Sequence, residues 1–186
     1  MIPVSLDRIA PGGRKPHNAR SQSHTAVKIE PFRPEHSAAF EALNRAWLVD
    51  NGLLEPADEP DLKDPNGTII ALGGQVYVAV ENDVVIGTCG IVPHGPGPGE
   101  FEVRKLAVVA SAQGRGIGMQ LVEACLDFAR QRGARRITLI SNSSLVAALR
   151  LYERAGFRHA PLPANNPYAT GDVHMVLDVQ PRQAVP

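Results

Sequence analysis

Residues 101 to 128 read FEVRKLAVVASAQGRGIGMQLVEACLDF, an apolar strand-like run that breaks at QGRGIG (113 to 118) and restarts with apolar residues at helical spacing. Each glycine loses more backbone freedom on ordering than any other residue, so three in six positions need a physical reason. A strand that turns through glycines into a helix leaves the first helical N–H groups unpaired and aims the positive end of the helix dipole at whatever lies there. Such a turn is an anion site, most naturally for phosphate. Gly114, Gly116 and Gly118 let a large anion approach without meeting a Cβ atom, Arg115 can add a charge-assisted contact, and Gln113 can supply a further donor.

Two nucleotide motifs fail at this loop. A Walker loop ends in Lys followed by Ser or Thr, and here Met119 and Gln120 follow. A dinucleotide fingerprint has the spacing GxGxxG near the start of a βαβ unit, whereas this chain has GxGxG after four strand-like segments.

The rest of the chain places the loop in a mixed architecture. VKIEPF (27 to 32) predicts a first strand, and Pro34 opens a helix that stops at Gly52. The acidic, proline-broken LLEPADEPDLKDPNG (53 to 67) predicts a loop or short helix. QVYVAV (75 to 80) and VVIGTCGIV (84 to 92) flank a short turn as a β-hairpin, and FEVRKLAVV (101 to 109) follows. After QGRGIG, Ile117, Leu121, Cys125 and Phe128 form one helical face that ends at Gly133. RITLIS (136 to 141) is a β-branched strand, SLVAALRLYERAG (144 to 156) a second helix with Leu145, Ala148, Leu149 and Tyr152 on one face, and FRHA (157 to 160) and DVHMVLDV (172 to 179) closing strands. Strands grouped between helices in this order predict an α+β domain over residues 27 to 180, with a flexible N-terminal tail at 1 to 26 and a short C-terminal tail at 181 to 186.

Composition narrows the function. Lys and Arg total 19 and Asp and Glu total 19, so no net field points to nucleic acid or an anionic membrane. Cys89 and Cys125 sit in apolar runs without metal-ligand spacing, as buried reduced thiols do, and the six histidines show no ligand spacing, so no metal is expected. No apolar stretch reaches the roughly 18 residues of a membrane span and the N-terminus lacks the apolar block of a signal, so the expected location is the cytoplasm.

The loop fits the pattern Q/R-x-x-G-x-G/A. Together with KLAVVASAQGRGIGMQLVEACLDFA and, downstream, ITLISNSSLVAALRLYERAGF, the sequence resembles the GNAT superfamily of acyl-CoA N-acyltransferases over about residues 27 to 180. The resemblance implies the GNAT fold: a central mixed, mostly antiparallel sheet of seven strands flanked by helices, splayed between strands four and five. Those strands are FEVRKLAVV and RITLIS. It implies acetyl-CoA as co-substrate, a primary amine of a small molecule or peptide as acceptor, direct transfer in a ternary complex, and dimers as a common state.

Site residues follow from the same resemblance. Backbone groups of Leu106, Ala107 and Val108 would align the pantetheine arm and bind the thioester oxygen. Gln113, Gly114, Arg115, Gly116, Ile117, Gly118 and Met119 would take the pyrophosphate, with Asn142 and Leu149 as further cofactor contacts. The alternating positions support an irregular fourth strand, since Phe101 and Val103 share one parity and Leu106 and Val108 the other, and a bulge reconciles them. Tyr152 matches the family tyrosine that protonates the departing sulfur, although its spacing also suits plain core packing. Glu102 matches the strand-four glutamate that deprotonates the amine, with Glu100 and a water chain as rivals. Asn142 also suits a simple turn residue. The carboxylates Glu55, Asp58, Glu59, Asp61 and Asp64 are expected to be mostly solvated, with attraction of a cationic amine as the alternative. Trp47, His94, Tyr168, Asp172 and His174 border the acceptor pocket by the same resemblance. Non-catalytic acyl-CoA sensing is the competing function, and the acyl-chain length stays open.

Overall fold

The computed structural model describes residues 26–95 and 97–179, so of the expected tails residues 1 to 25 and 181 to 186 lie outside the described residues. β1 (Lys28–Pro31) leads through a single tight turn at Pro34–His36 into α1 (Ser37–Asp50). The acidic segment holds α2 (Glu59–Lys63), followed by one wide helical turn at Asn66–Ile70 to which the sequence had assigned no element. β2 (Gln75–Glu81), β3 (Val84–Pro93) and β4 (Glu100–Val108) form a meander. α3 (Ile117–Gln131), β5 (Arg136–Ser141), α4 (Val146–Arg154), β6 (Arg158–Ala160) and β7 (Val173–Asp178) complete the chain.

The strands form one seven-stranded sheet in the order β1-β2-β3-β4-β5-β7-β6. Every neighbouring pair is antiparallel except β4 and β5, which run parallel because α3 crosses between them. At the β2–β3 turn, Asn82 and Asp83 both take left-handed φ, the conformation that matches strand twist in two-residue hairpins and that Asn and Asp tolerate.

Period-two alternation along β2 sends its side chains to two cores. Val76 and Val78 join Phe32, Phe40, Ile69 and Val92 on the α1 face. Ala79 joins Leu121, Cys125, Ile137, Leu139 and Met175 on the α3 face. Burying Leu121, which has no exposed surface, contributes roughly 2 to 3 kcal/mol. Cys89 and Cys125 are both free and buried, with the Cys125 thiol on the Cys89 carbonyl.

The acidic segment departs from the expectation of a solvated run. Asp58 and Asp61 are only 3% and 4% exposed. A carboxylate leaves water only where cations receive it, and β4 supplies Lys105 and Arg104. Among the described residues no helix is long and apolar enough to cross a membrane.

Candidate active site

β4 and β5 pair only where Glu100, Phe101 and Glu102 face Arg136, Ile137 and Thr138. Beyond Glu102 the two strands part. The cause lies in β4 itself: Thr88 of β3 pairs with Ala107 and Gly90 with Arg104, so Lys105 and Leu106 together oppose Cys89. Lys105 takes a left-handed φ of 54°, which makes this the bulge that the alternation of apolar residues predicts. After it, Leu106 and Val108 pack with Phe101 and Val103 on the α3 face.

Where the strands part, a groove of about 930 Å³ opens along Leu106, Ala107 and Val108. Ala39, Leu43 and Ala46 of α1 form one wall, and Val146, Ala147 and Leu151 of α4 the other. Gln113 and Gly118 also line it, and Gln113 Nε2 donates to the Val108 carbonyl at 3.0 Å.

At the start of α3, Gly114 and Gly116 have φ of 75° and 79°, which side-chain-bearing residues rarely adopt. A Cβ on either would meet nothing within 4 Å, so both border open space. No side chain caps α3, which leaves its first N–H groups facing outward. The neighbouring positions behave differently. A Cβ on Gly118 would come within 2.9 Å of Leu151, so that glycine serves the close approach of α3 and α4. Arg115 lies on Glu81 at 2.6 and 3.0 Å. Ile117 is buried in the α3 core, Met119 is half-buried, and Leu149 packs against the same core.

A second cavity of about 120 Å³ adjoins the bulge and is lined by Glu102, Tyr152, Asn142, Tyr168, Trp47, Asp58, Lys105 and Leu106. Tyr152 comes from α4, with its ring edge-on to Phe157 and its hydroxyl without a hydrogen-bond partner among the described residues. Burial pushes its pKa well above the ordinary phenol value, with the thiols of Cys89 and Cys125 adding to the shift. Glu102 is 6% exposed and accepts from Arg104 Nη2 at 2.8 Å, while His94 Nδ1 lies 3.4 Å from the same carboxylate oxygen. Its rival Glu100 packs against Gly95 outside this cavity.

The cavity's far side is a tied pair of loops. Lys105 Nζ meets Asp58 at 2.5 Å and lies 5.7 Å from the centre of the Tyr168 ring. Glu55 accepts from the Ala169 and Thr170 N–H groups, both at 2.8 Å, and from the Thr170 hydroxyl. Asn142 Nδ2 donates to the Thr170 carbonyl, and its Oδ1 accepts from Ser144, so the turn role and the cavity position coincide in one residue. Asp172 accepts from the Ser143 hydroxyl and N–H, which hold its pKa low. His174 is bonded to the Pro161 carbonyl and does not line the cavity.

The sequence reading missed Lys105, Asn44 and Thr88 as parts of this region, and it expected Asp58 and Asp61 in a mostly solvated run. A signal was present: two adjacent cations inside an apolar strand require partners, and the acidic segment read as a loop or short helix carries carboxylates able to supply them.

Residues 35–157 match the family model described as acetyltransferase (GNAT) family. An uncharacterised N-acetyltransferase of Schizosaccharomyces pombe is 29% identical over 80% of this chain and 92% of its own length. N-alpha-acetyltransferase 30 of the same yeast is 36% identical over 44% of this chain and 55% of its own. A probable N-acetyltransferase, camello, of Xenopus tropicalis is 34% identical over 44% of this chain and 37% of its own, so the chain spans about half or less of the length of such relatives. Among solved structures, a GNAT acetyltransferase of Staphylococcus aureus superposes with a TM-score of 0.76 at 18% identity, covering 83% of this chain and all of that one. A Bacillus subtilis acetyltransferase in complex with CoA gives 0.61 at 23% identity over 83% of this chain and all of that one.

Proposed function

The chain belongs to the GNAT acetyltransferase family, and from that premise we propose that it moves an acetyl group from acetyl-CoA to a primary amine of a small molecule or peptide. The observation that carries the reading is continuity. The bulged, unpaired edge of β4 runs from the glycine turn at the start of α3 to the cavity that holds Glu102 and Tyr152.

The residues fit the donor. The open space beside Gly114 and Gly116 and the uncapped start of α3 suit the pyrophosphate, and the groove along Leu106, Ala107 and Val108 suits the extended pantetheine arm. Arg115 would have to leave Glu81, or share it, to add its charge. When bound, acetyl-CoA supplies an activated thioester, and transfer to an ammonium yields an amide, a thiol and one free proton.

In this reading Glu102 removes the proton that makes the incoming amine an ammonium, with Arg104 holding the carboxylate in place. The raised pKa of Tyr152 keeps its hydroxyl protonated, the form able to donate toward the departing sulfur. A phenol with so high a pKa is a weak acid, so its proton moves toward sulfur only as another proton, leaving the acceptor nitrogen, replaces it.

The test is incubation with acetyl-CoA and an amine library while following thiol release and product mass. Thiol release with a mass gain of one acetyl group is expected for at least one amine, and Glu102→Gln should lower kcat by about 100-fold on that amine. A protein that neither binds CoA nor releases thiol would overturn the assignment.

A further inference from the structure

A buried polar chain links α1 to the β4 bulge. Asn44 Nδ2 donates at 2.9 Å to both the Phe40 carbonyl and the Thr88 hydroxyl, and Thr88 Oγ1 donates at 3.0 Å to the Lys105 carbonyl. Thr88 has no exposed surface and Asn44 is 2% exposed. The direction of the chain is fixed. A carbonyl can only accept, so Phe40 determines which end of the Asn44 amide carries its hydrogens, and the Thr88 proton is then left for Lys105.

No peptide bond among the described residues is cis, so the Lys105 C=O and the Leu106 N–H point in opposite directions within their shared plane. Thr88 holds that C=O toward β3. The N–H is therefore turned away from β3, toward the gap that β5 has left.

We propose that Asn44 and Thr88 are positioning residues that lock the Lys105–Leu106 peptide with its N–H presented to the thioester carbonyl oxygen. The lock is needed because Lys105 holds a left-handed φ, which a non-glycine residue leaves readily once its restraints go. An N–H aimed in advance stabilises the oxygen as charge develops, without reorganising during the reaction. This inference rests on the acetyl-CoA reading above.

The experiment is isotope-edited infrared spectroscopy of acetyl-CoA labelled with ¹³C at the acetyl carbonyl, bound to the full chain, alongside kcat from thiol release. In the wild type the bound carbonyl stretch should lie below its value in water. Thr88→Val should lose that displacement and about tenfold in kcat, whereas Thr88→Ser, which keeps the hydroxyl, should retain both. Affinity for CoA itself, which lacks the carbonyl, should be the same in all three. If Thr88→Val does not fold, Asn44→Ala carries the same expectation for the carbonyl. An unshifted carbonyl in the wild type, or an undisturbed one in Thr88→Val and Asn44→Ala, overturns the positioning role while leaving the donor assignment intact. Failure of the wild type to bind acetyl-CoA overturns the donor assignment and this inference with it.

Discussion

Tyr152 is the residue at which core packing and the proposed chemistry meet. Its ring packs in the α3 core edge-on to Phe157, and the same residue lines the cavity that Glu102 also lines. Core spacing and the proposed acid role, which compete when only the sequence is known, are compatible in this placement. Tyr152→Phe should therefore leave folding and CoA affinity unchanged and lower kcat about 100-fold, measured by thiol release and calorimetry. Because burial raises the phenol pKa above its ordinary value of 10.0, kcat in the wild type should show no downturn below that pH that vanishes in Tyr152→Phe. Finding such a downturn would contradict the protonated state assigned to the hydroxyl.

Among the elements, the two loops over the cavity depend on a carboxylate that sequence patterning cannot place. Glu55 lies more than 100 positions from Thr170, yet it accepts two N–H groups and a hydroxyl there. The Thr170 hydroxyl, and then the two N–H groups, hold its pKa below the ordinary 4.5. A depressed carboxylate pKa contributes stability that is complete above the unfolded-state value and is lost as pH falls through the folded one. The tie should thus hold at neutral pH and weaken only below about pH 4.5. Glu55→Ala should speed amide exchange at Ala169 and Thr170 by about tenfold or more at pH 7, and unchanged protection would refute the strap. The Lys105 and Asp58 pair was hidden for the same reason. Both charges are visible in the chain, but their 47-residue separation carries no periodic signal.

Across the whole molecule, site and stability meet in α1. Phe40 is fully buried between helix and sheet, edge-on to Phe32, and the same helix carries Asn44 and Trp47 to the cavity. Phe40→Ala should cost about 3 to 5 kcal/mol and lower the melting temperature by about 10 °C in calorimetry. A change under about 1 kcal/mol would mean that this smaller core does not hold α1 to the sheet. The sequence alone determined the order of the strands and of the three long helices, because period-two and period-3.6 patterns record which faces are buried. It also determined the β4 bulge, because shifting a strand by one residue reverses its apolar parity, and the glycine turn before α3, because positive φ selects residue type. Tertiary structure alone decided that Gly118 serves helix packing, that Arg115 lies on Glu81, and that Asp58 and Asp61 are buried on Lys105 and Arg104. Those outcomes depend on distances between segments far apart in the chain, and a side chain's own pattern encodes its burial but not its partner.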